Sequence, residues 1–441
     1  MINQNEGLKI RNIGKINTTE NRNKLLSVLE QTFQRLDPAH LMQEYLKDIL
    51  SKGTGYRNIF VVGFGKASLK MYQGIRGITA KVAKYSGIII PVGEEVDENF
   101  PELEILRGNH PIPSDETLNS SLKIMSCLHD LQEDDLVLLL ISGGGSALFE
   151  IPENGFTIDM IGETAKCLMN SGADIHELNS IRQAMSSVKG GKLAARLYPA
   201  EVHGFIISDV PGDDVSIIAS GPLTKPSKNS KFLEEVYDIY QNSCNLPDKE
   251  TLLKSAKQMH MKKFSNATTK LVLKNSDFVN LISSLLHDMG ENVLALPDPV
   301  TGDVVEISER FADRMRKQYN MAKKPVWIVG GGETTAKVHG NGIGGRNCEL
   351  SLRVALKMEK KEDFMFASLG TDGIDGVSPA MGGISDALLL ENATLQEIQE
   401  SLSNSDSFTL LNKYNSSVVT GYTGTNVSDI FVMYYGGKTE E

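Results

Sequence analysis

A chain of 441 residues is longer than one hydrophobic core ordinarily organises, since single cores stop growing near roughly 250–300 residues, so two domains are expected. With 40% hydrophobic and 23% charged residues, no apolar run of bilayer length and no charged-then-apolar leader at its start, the sequence predicts a cytoplasmic protein with no membrane partner. A net charge of -11 argues against general nucleic-acid binding, which needs a basic face to displace phosphate counterions.

Met1 to about Arg22 is polar without clear periodicity and reads as a loose arm or short strand. From Asn23 to Lys52 apolar residues recur at helical spacing, and Asp37-Pro38 breaks the run into two helices. A repeated theme follows, in which a short apolar run ends in glycine or a small polar residue and a helical pattern begins. Its instances are Ile59 to Val62 before Gly63, Leu136 to Ile141 before Ser142, Phe205 to Ile207 before Ser208, Pro325 to Val329 before Gly330, and Phe364 to Leu369 before Gly370. Strands buried on both faces read this way, and their alternation with helices predicts parallel sheets. Ligands bind such sheets at the carboxyl ends of the strands, where these turns lie.

Between about Lys225 and Phe264 the pattern weakens, and a fresh series starts at Lys270 to Lys274, so the division falls into residues 22–262 and 263–441. Asp303 to Tyr319 reads as a helix of the second domain. The four cysteines, Cys127, Cys167, Cys244 and Cys348, form no CxxC pair and suggest neither a zinc site nor a disulfide framework.

The strongest local signal is the strand Leu138 to Ile141 running into Ser142, Gly143, Gly144, Gly145 and Ser146 at a helix start. Successive glycines let backbone amides turn toward an anion, and a helix N-terminus adds favourable partial charge. A plain strand-to-helix turn ordinarily needs only one glycine. Gly63, Gly65 and Ser68 make a degenerate GxGxxG that delivers Lys66 to a strand end, where it could meet an anionic substrate or a transferring phosphoryl group or simply be solvated. The GxxxxGK[ST] nucleotide loop is absent. Three acidic turns, at Ser208 to Asp214 with Asp209, at Gly332 to Thr335 with Glu333, and at Gly370 to Gly376 with Asp372, could handle magnesium or protons, or could cap turns. Arg346 follows the glycines Gly342, Gly344 and Gly345, and its planar fork suits carboxylates and phosphates. His110, in a proline-held turn, reads as structural.

Taken in order, these strings resemble the class II glycerate kinases, or glycerate 2-kinases, whose C-terminal part is the MOFRL domain. The resemblance runs through Gly63 to Ser68, Gly108 to Pro113, Ile141 to Ala147, Leu178 to Arg182 with Lys189 to Lys192, Ile207 to Asp214 with Ala219 to Pro222, Gly330 to Thr334, Gly344 to Asn347, Gly370 to Gly373 and Gly424 to Val427. It departs at Cys348, where the family usually has glutamine, at Val215, usually proline, and at Val377 to Pro379, where the loss of a Pro-Thr-Asp-like run removes an acid near Asp372.

The resemblance implies an α/β fold with a Rossmann-like parallel-sheet N-terminal domain, a smaller C-terminal MOFRL domain and an active site in the cleft between them. It implies ATP- and Mg²⁺-dependent phosphorylation of D-glycerate at its 2-hydroxyl by a monomer or homodimer, with Lys66 and Arg346 as catalytic cations. The Ser142 to Ser146 loop and Asn426 would then bind nucleotide, Glu333 or Asp372 the metal, and Asp209 would orient or deprotonate the hydroxyl. The rival is an NAD(P)-dependent hydroxypyruvate reductase, which the Gly63 turn and the strand Gly87 to Ile90 with Glu94 beyond it would serve, although the third glycine of the dinucleotide fingerprint is missing.

Overall fold

The computed structural model describes residues 9–51, 55–96, 98–261 and 265–438, which fall into two compact units. One runs from Pro38 to Leu273; the other combines residues up to Asp37 with those from Lys274 onward.

The first unit is built on β1 (Asn58–Phe64), β2 (Ala83–Pro91), β3 (Glu104–Gly108), β4 (Asp135–Ile141), β5 (Glu201–Ile207) and β6 (Ala267–Leu273). Every pairing is parallel, in the order β3-β2-β1-β4-β5-β6. That is the Rossmann order, and it reverses direction between β1 and β4, leaving a crevice at the carboxyl ends where ligands bind. Leu136 to Ile141 are fully buried, as expected of a central strand covered on both faces. Phe60, Val62 and Phe64 of β1 join Val137, Leu139, Ile141 and Phe149 in one core, so the strand ends that carry the glycine turns are anchored by packing. The division expected at residue 262 moves to Leu273, because the strand that was to open the second domain is β6, which pairs with β5 and completes the first sheet.

The second unit contains β7 (Val293–Ala295), β8 (Val300–Asp303), β9 (Val326–Thr335), β10 (Glu362–Gly370), β11 (Gly382–Asp386), β12 (Ser417–Val418) and β13 (Asp429–Lys438). The order is β12-β11-β10-β13-β9-β7 with β8 also on β9. This sheet is mixed, not parallel as expected: β13 lies antiparallel between β9 and β10, and β7 and β8 pair with β9 in parallel. Apolar runs report burial on both faces and are silent on strand direction. The expected helix after Asp303 spans Val304–Ala322, and Asp303 caps it by accepting from Val305 N.

Two expectations fail near the start. The chain is no loose arm within its described part, since Ile10 and Ile16 are buried and Arg11 N donates to Val419 O at 2.8 Å; residues 1–8 lie outside the described residues. Arg22 is buried and forms a two-pronged pair with Asp386 (2.6 and 2.9 Å). The two helices foreseen before residue 52 exist, Glu20–Arg35 and Pro38–Ser51, but they belong to different units, so the break at Asp37-Pro38 is also where the chain passes from one unit to the other.

Cys167 and Cys244 are joined in a disulfide, with Cα atoms 5.7 Å apart, against the sequence reading. The polar stretch after Lys225 folds into the helices Ser230–Tyr240 and Lys249–Met261, which pack with Ile158–Asn170 in a satellite core and bring the sulfurs together across 77 residues. Among the described residues no helix is long and apolar enough to cross a membrane.

Candidate active site

In the parallel-sheet unit the turns after β1 and β4 interlock. Phe64 pairs with Ile141 at the strand ends; beyond them Ser142 N donates to Phe64 O (3.2 Å), Ala67 N to Ser142 Oγ (2.9 Å) and Lys66 N to Gly143 O (3.0 Å). The interlock demands glycine at 65: its φ is +120°, and a Cβ there would stand 2.4 Å from Ser142 Oγ. Lys66 is therefore delivered, half-buried, beside the glycine loop at the switch point. Ser142 is fully buried with its hydroxyl engaged by Ala67, whereas Gly144 and Ser146 reach solvent. The helix expected here is one turn, Gly145–Leu148. So short a helix adds little dipole, and the loop's positive character must come from its amides and neighbouring cations.

The loop is held from beneath. Lys189, fully buried, donates through Nζ to Gly145 O (3.0 Å) and Phe149 O (2.6 Å). Burial pushes its pKa down to about 8 against the pull of Glu150, whose own carboxyl burial drives upward. Ser146 Oγ meets Ser220 Oγ at 3.0 Å, Ser220 Oγ donates to Asn179 Oδ1 (2.8 Å), and Gln183 Nε2 donates to Ser220 O (3.1 Å). The strings around Asn179, Lys189 and Ser220 thus serve as the bed of the glycine loop. His110 lies against Gly144, where an added Cβ would come within 3.1 Å of its ring. Asp209 follows β5, beside β4, half-buried at the same carboxyl edge.

In the second unit Arg346 is the first residue of the helix Arg346–Ala355. Its guanidinium donates to both oxygens of Asp429 (2.7 and 3.0 Å) and pairs with Glu333 Oε1 at 2.8 Å. Burial works against the charge, but Asp429 and Glu333 outweigh it and hold the pKa above its ordinary value. Glu333 and Asp429 converge because β9 pairs with β13, with Asp429 opposite Gly332. Asn347 Nδ2 also donates to Asp429 (2.9 Å). Asp375, buried at 2% exposure, accepts from Asn347 N (3.0 Å) and Cys348 N (2.7 Å) and so caps the Arg346 helix; burial raises its pKa to about 6. Asp372 and Asn426 lie on two loops that knit together through Thr371 and Thr423: Val427 N donates to Thr371 Oγ1 (2.9 Å) and Thr423 Oγ1 to Thr371 O (2.6 Å).

Within one unit, then, Lys66 meets Ser142 to Ser146 with Asp209 nearby; within the other, Arg346 meets Glu333, with Asp372 and Asn426 on adjoining loops. Asp429 was missed, because an acid opening a strand gives no local signal, and Asn347 and Asp375 gained meaning only as partners of Arg346 and its helix. Among the described residues no group of three or more His, Cys, Asp or Glu side chains forms a metal cluster.

The Rossmann-ordered parallel sheet, with a glycine loop and a lysine at its switch point, places the protein in the doubly wound α/β class. Residues 24–253 match the family model described as Domain of unknown function (DUF4147), and residues 326–429 match that of the MOFRL family. The chain is 42% identical over 429 residues to a glycerate 2-kinase of Picrophilus torridus, spanning 97% of this chain and 100% of that one. It is 30% identical to a protein of Agrobacterium vitis called a putative hydroxypyruvate reductase, across 85% of this chain and 99% of the relative. The crystal structure of a glycerate kinase from Thermotoga maritima superposes with a TM-score of 0.81 at 29% identity, covering 94% of this chain and 99% of that one. The chain belongs to the glycerate 2-kinase family, a family of kinases that carry the MOFRL region.

Proposed function

We propose that this protein transfers the γ-phosphoryl group of ATP to the 2-hydroxyl of D-glycerate, giving 2-phosphoglycerate and ADP. The observation that carries the reading is the Lys66 turn locked to the Ser142 to Ser146 loop at the switch point, in a chain whose relatives include a glycerate 2-kinase of like length. The loop amides cradle phosphate oxygens, Asn426 contributes to nucleotide binding, and Lys66 and Arg346 supply the cations that meet charge on the transferred group. Phosphoryl transfer rests on positioning and on such cations more than on covalent chemistry. As the hydroxyl oxygen bonds to phosphorus, the bridging P–O bond breaks and ADP leaves with its electron pair, while the hydroxyl proton passes toward Asp209 and solvent.

Glu333 stands within β9, opposite Thr301 of β8, because the strand runs on through the turn expected at Gly332 to Thr335, whereas Asp372 lies in the turn after β10. The two fit a magnesium ion in kind: both are carboxylates that keep solvent contact, and a hard cation takes one or two such oxygens with phosphate and water completing its shell. Bound there, the ion would neutralise charge between the phosphates.

³¹P NMR of the purified protein with ATP, Mg²⁺ and D-glycerate tests the proposal. A 2-phosphoglycerate resonance supports it, a 3-phosphoglycerate resonance keeps the kinase and overturns the acceptor position, and intact ATP overturns the kinase reading. The name carried by the Agrobacterium vitis relative keeps one second reading, hydroxypyruvate reduction, and loss of NADH absorbance with hydroxypyruvate would establish it.

A further inference from the structure

One acidic side chain at the carboxyl edge of the parallel sheet has no place in that scheme. Glu94 follows β2, which pairs with β1 so that Phe64 stands opposite Ile89 and Gly65 N reaches Ile89 O (3.4 Å). The turn is pinned by its backbone: Glu94 N donates to Pro91 O (3.2 Å), and Arg107 of β3 donates to Pro91 O (3.1 Å) and to the carbonyl of Glu94. The residue is half-buried, yet its Oε2 is closed to solvent and accepts no hydrogen bond from any described residue. A half-buried carboxyl group at a ligand-binding edge with no hydrogen-bond donor on its closed oxygen among the described residues calls for a specific explanation. The charged groups acting on it are Lys66, from the β1 turn, and Arg107. Burial prevails over both and raises its pKa to about 7.

We propose that Glu94 is a specificity-determining residue that accepts a hydrogen bond from a hydroxyl of the acceptor substrate beside Lys66. The ligand class is a small polyhydroxy acid, whose hydroxyl would donate to the carboxyl oxygen on the solvent side, while the closed oxygen holds the group in place at the carboxyl edge. The inference rests on the proposed glycerate reading and deepens it. A site that hydrogen-bonds a substrate hydroxyl rejects the analogue lacking it, because the site's polar group is then left unpaired. D-lactate, which is D-glycerate without the 3-hydroxyl, is the discriminating probe.

The experiment is calorimetric titration of wild type, Glu94→Ala and Glu94→Gln with D-glycerate and with D-lactate, so that the readout is binding and does not depend on turnover. Wild type is expected to prefer D-glycerate by at least about a hundredfold. Glu94→Ala should bring the two ligands to within about fivefold by weakening D-glycerate alone, and Glu94→Gln, which keeps an acceptor oxygen, should retain most of the preference. Wild-type affinity for D-glycerate should fall as pH drops below about 7, where the carboxylate protonates, and Glu94→Gln should lose that dependence. An unchanged preference in Glu94→Ala, or failure of wild type to bind D-glycerate, overturns the inference. Binding with the expected preference but without phosphoryl transfer overturns the proposed reaction and leaves this role standing.

Discussion

At the scale of single residues the assignment turns on two cations held in contrasting ways. Lys66 is placed by backbone bonds between its own turn and the glycine loop, so its side chain can be removed without disturbing the interlock. Lys66→Ala is expected to lower kcat by about a hundredfold or more with only a modest fall in the thermal midpoint. Turnover near wild type would strike Lys66 from the mechanism. Arg346 is held by side chains, chiefly the buried carboxylate of Asp429. Asp429→Asn preserves shape but removes the charge that fixes the fork, so kcat should fall by about tenfold or more, and stability should fall as well because the pair is partly buried. Steady-state kinetics beside urea melts separate the two effects; unaltered kcat in a destabilised variant would reduce Asp429 to a structural group. Lys66 stood out in the sequence because glycines announce the turn around it. Asp429 did not, since its meaning depends on β9 and β13 becoming neighbours across about a hundred residues of chain.

At the scale of elements the N-terminal segment departs furthest from its sequence reading. Polar residues without periodicity read as an arm, yet Arg22 is buried, pairs with Asp386 and donates to Asn415 O (2.7 Å) and Ser416 Oγ (3.0 Å). Asp386 in turn accepts from Leu389 N, capping the helix Ala387–Asn392. Removing one member of a buried pair strands the other, so Arg22→Leu should cost about 3–5 kcal/mol. Trp327, the single tryptophan and fully buried in the same unit, reports the loss through its fluorescence in denaturant. A change below about 1 kcal/mol would mean that Asp386 is satisfied without Arg22. The helix starting at Arg346 teaches the same lesson, since its capping carboxylate, Asp375, lies 27 to 28 residues along the chain from the amides it receives.

At the scale of the whole molecule each unit carries a buried carboxylate fixed by an arginine. Arg57 donates to Asp135 at 3.0 Å and holds its pKa down to about 2 from an ordinary 3.8. For Glu362 burial alone would raise the pKa, but Arg316 (2.8 and 2.9 Å), the Glu359 amide and the Tyr435 hydroxyl bring it down to about 2 from 4.5. A depressed carboxyl stabilises the fold fully above its unfolded value and ceases to do so as pH falls through the folded one. Both contributions should therefore vanish between about pH 4.5 and 2. Acid titration followed by Trp327 fluorescence should show Arg316→Ala unfolding at a higher pH than wild type. An unshifted midpoint would show that this pair does not govern the acid limit.

The sequence alone determined the strand ends and the glycine turns that carry the candidate anion loop, because apolar runs and glycines act within a few residues of themselves. It also determined family membership, through many short strings kept in one order. Tertiary structure decided which strands pair and in which direction, that β6 completes the first sheet while Glu20–Arg35 joins the second unit, and that Cys167 meets Cys244. It decided as well that Glu333 and Asp429 share Arg346 and that one oxygen of Glu94 is buried without a donor among the described residues. These are contacts between residues far apart along the chain, fixed by sheet pairing and packing, and local pattern contains no term for them.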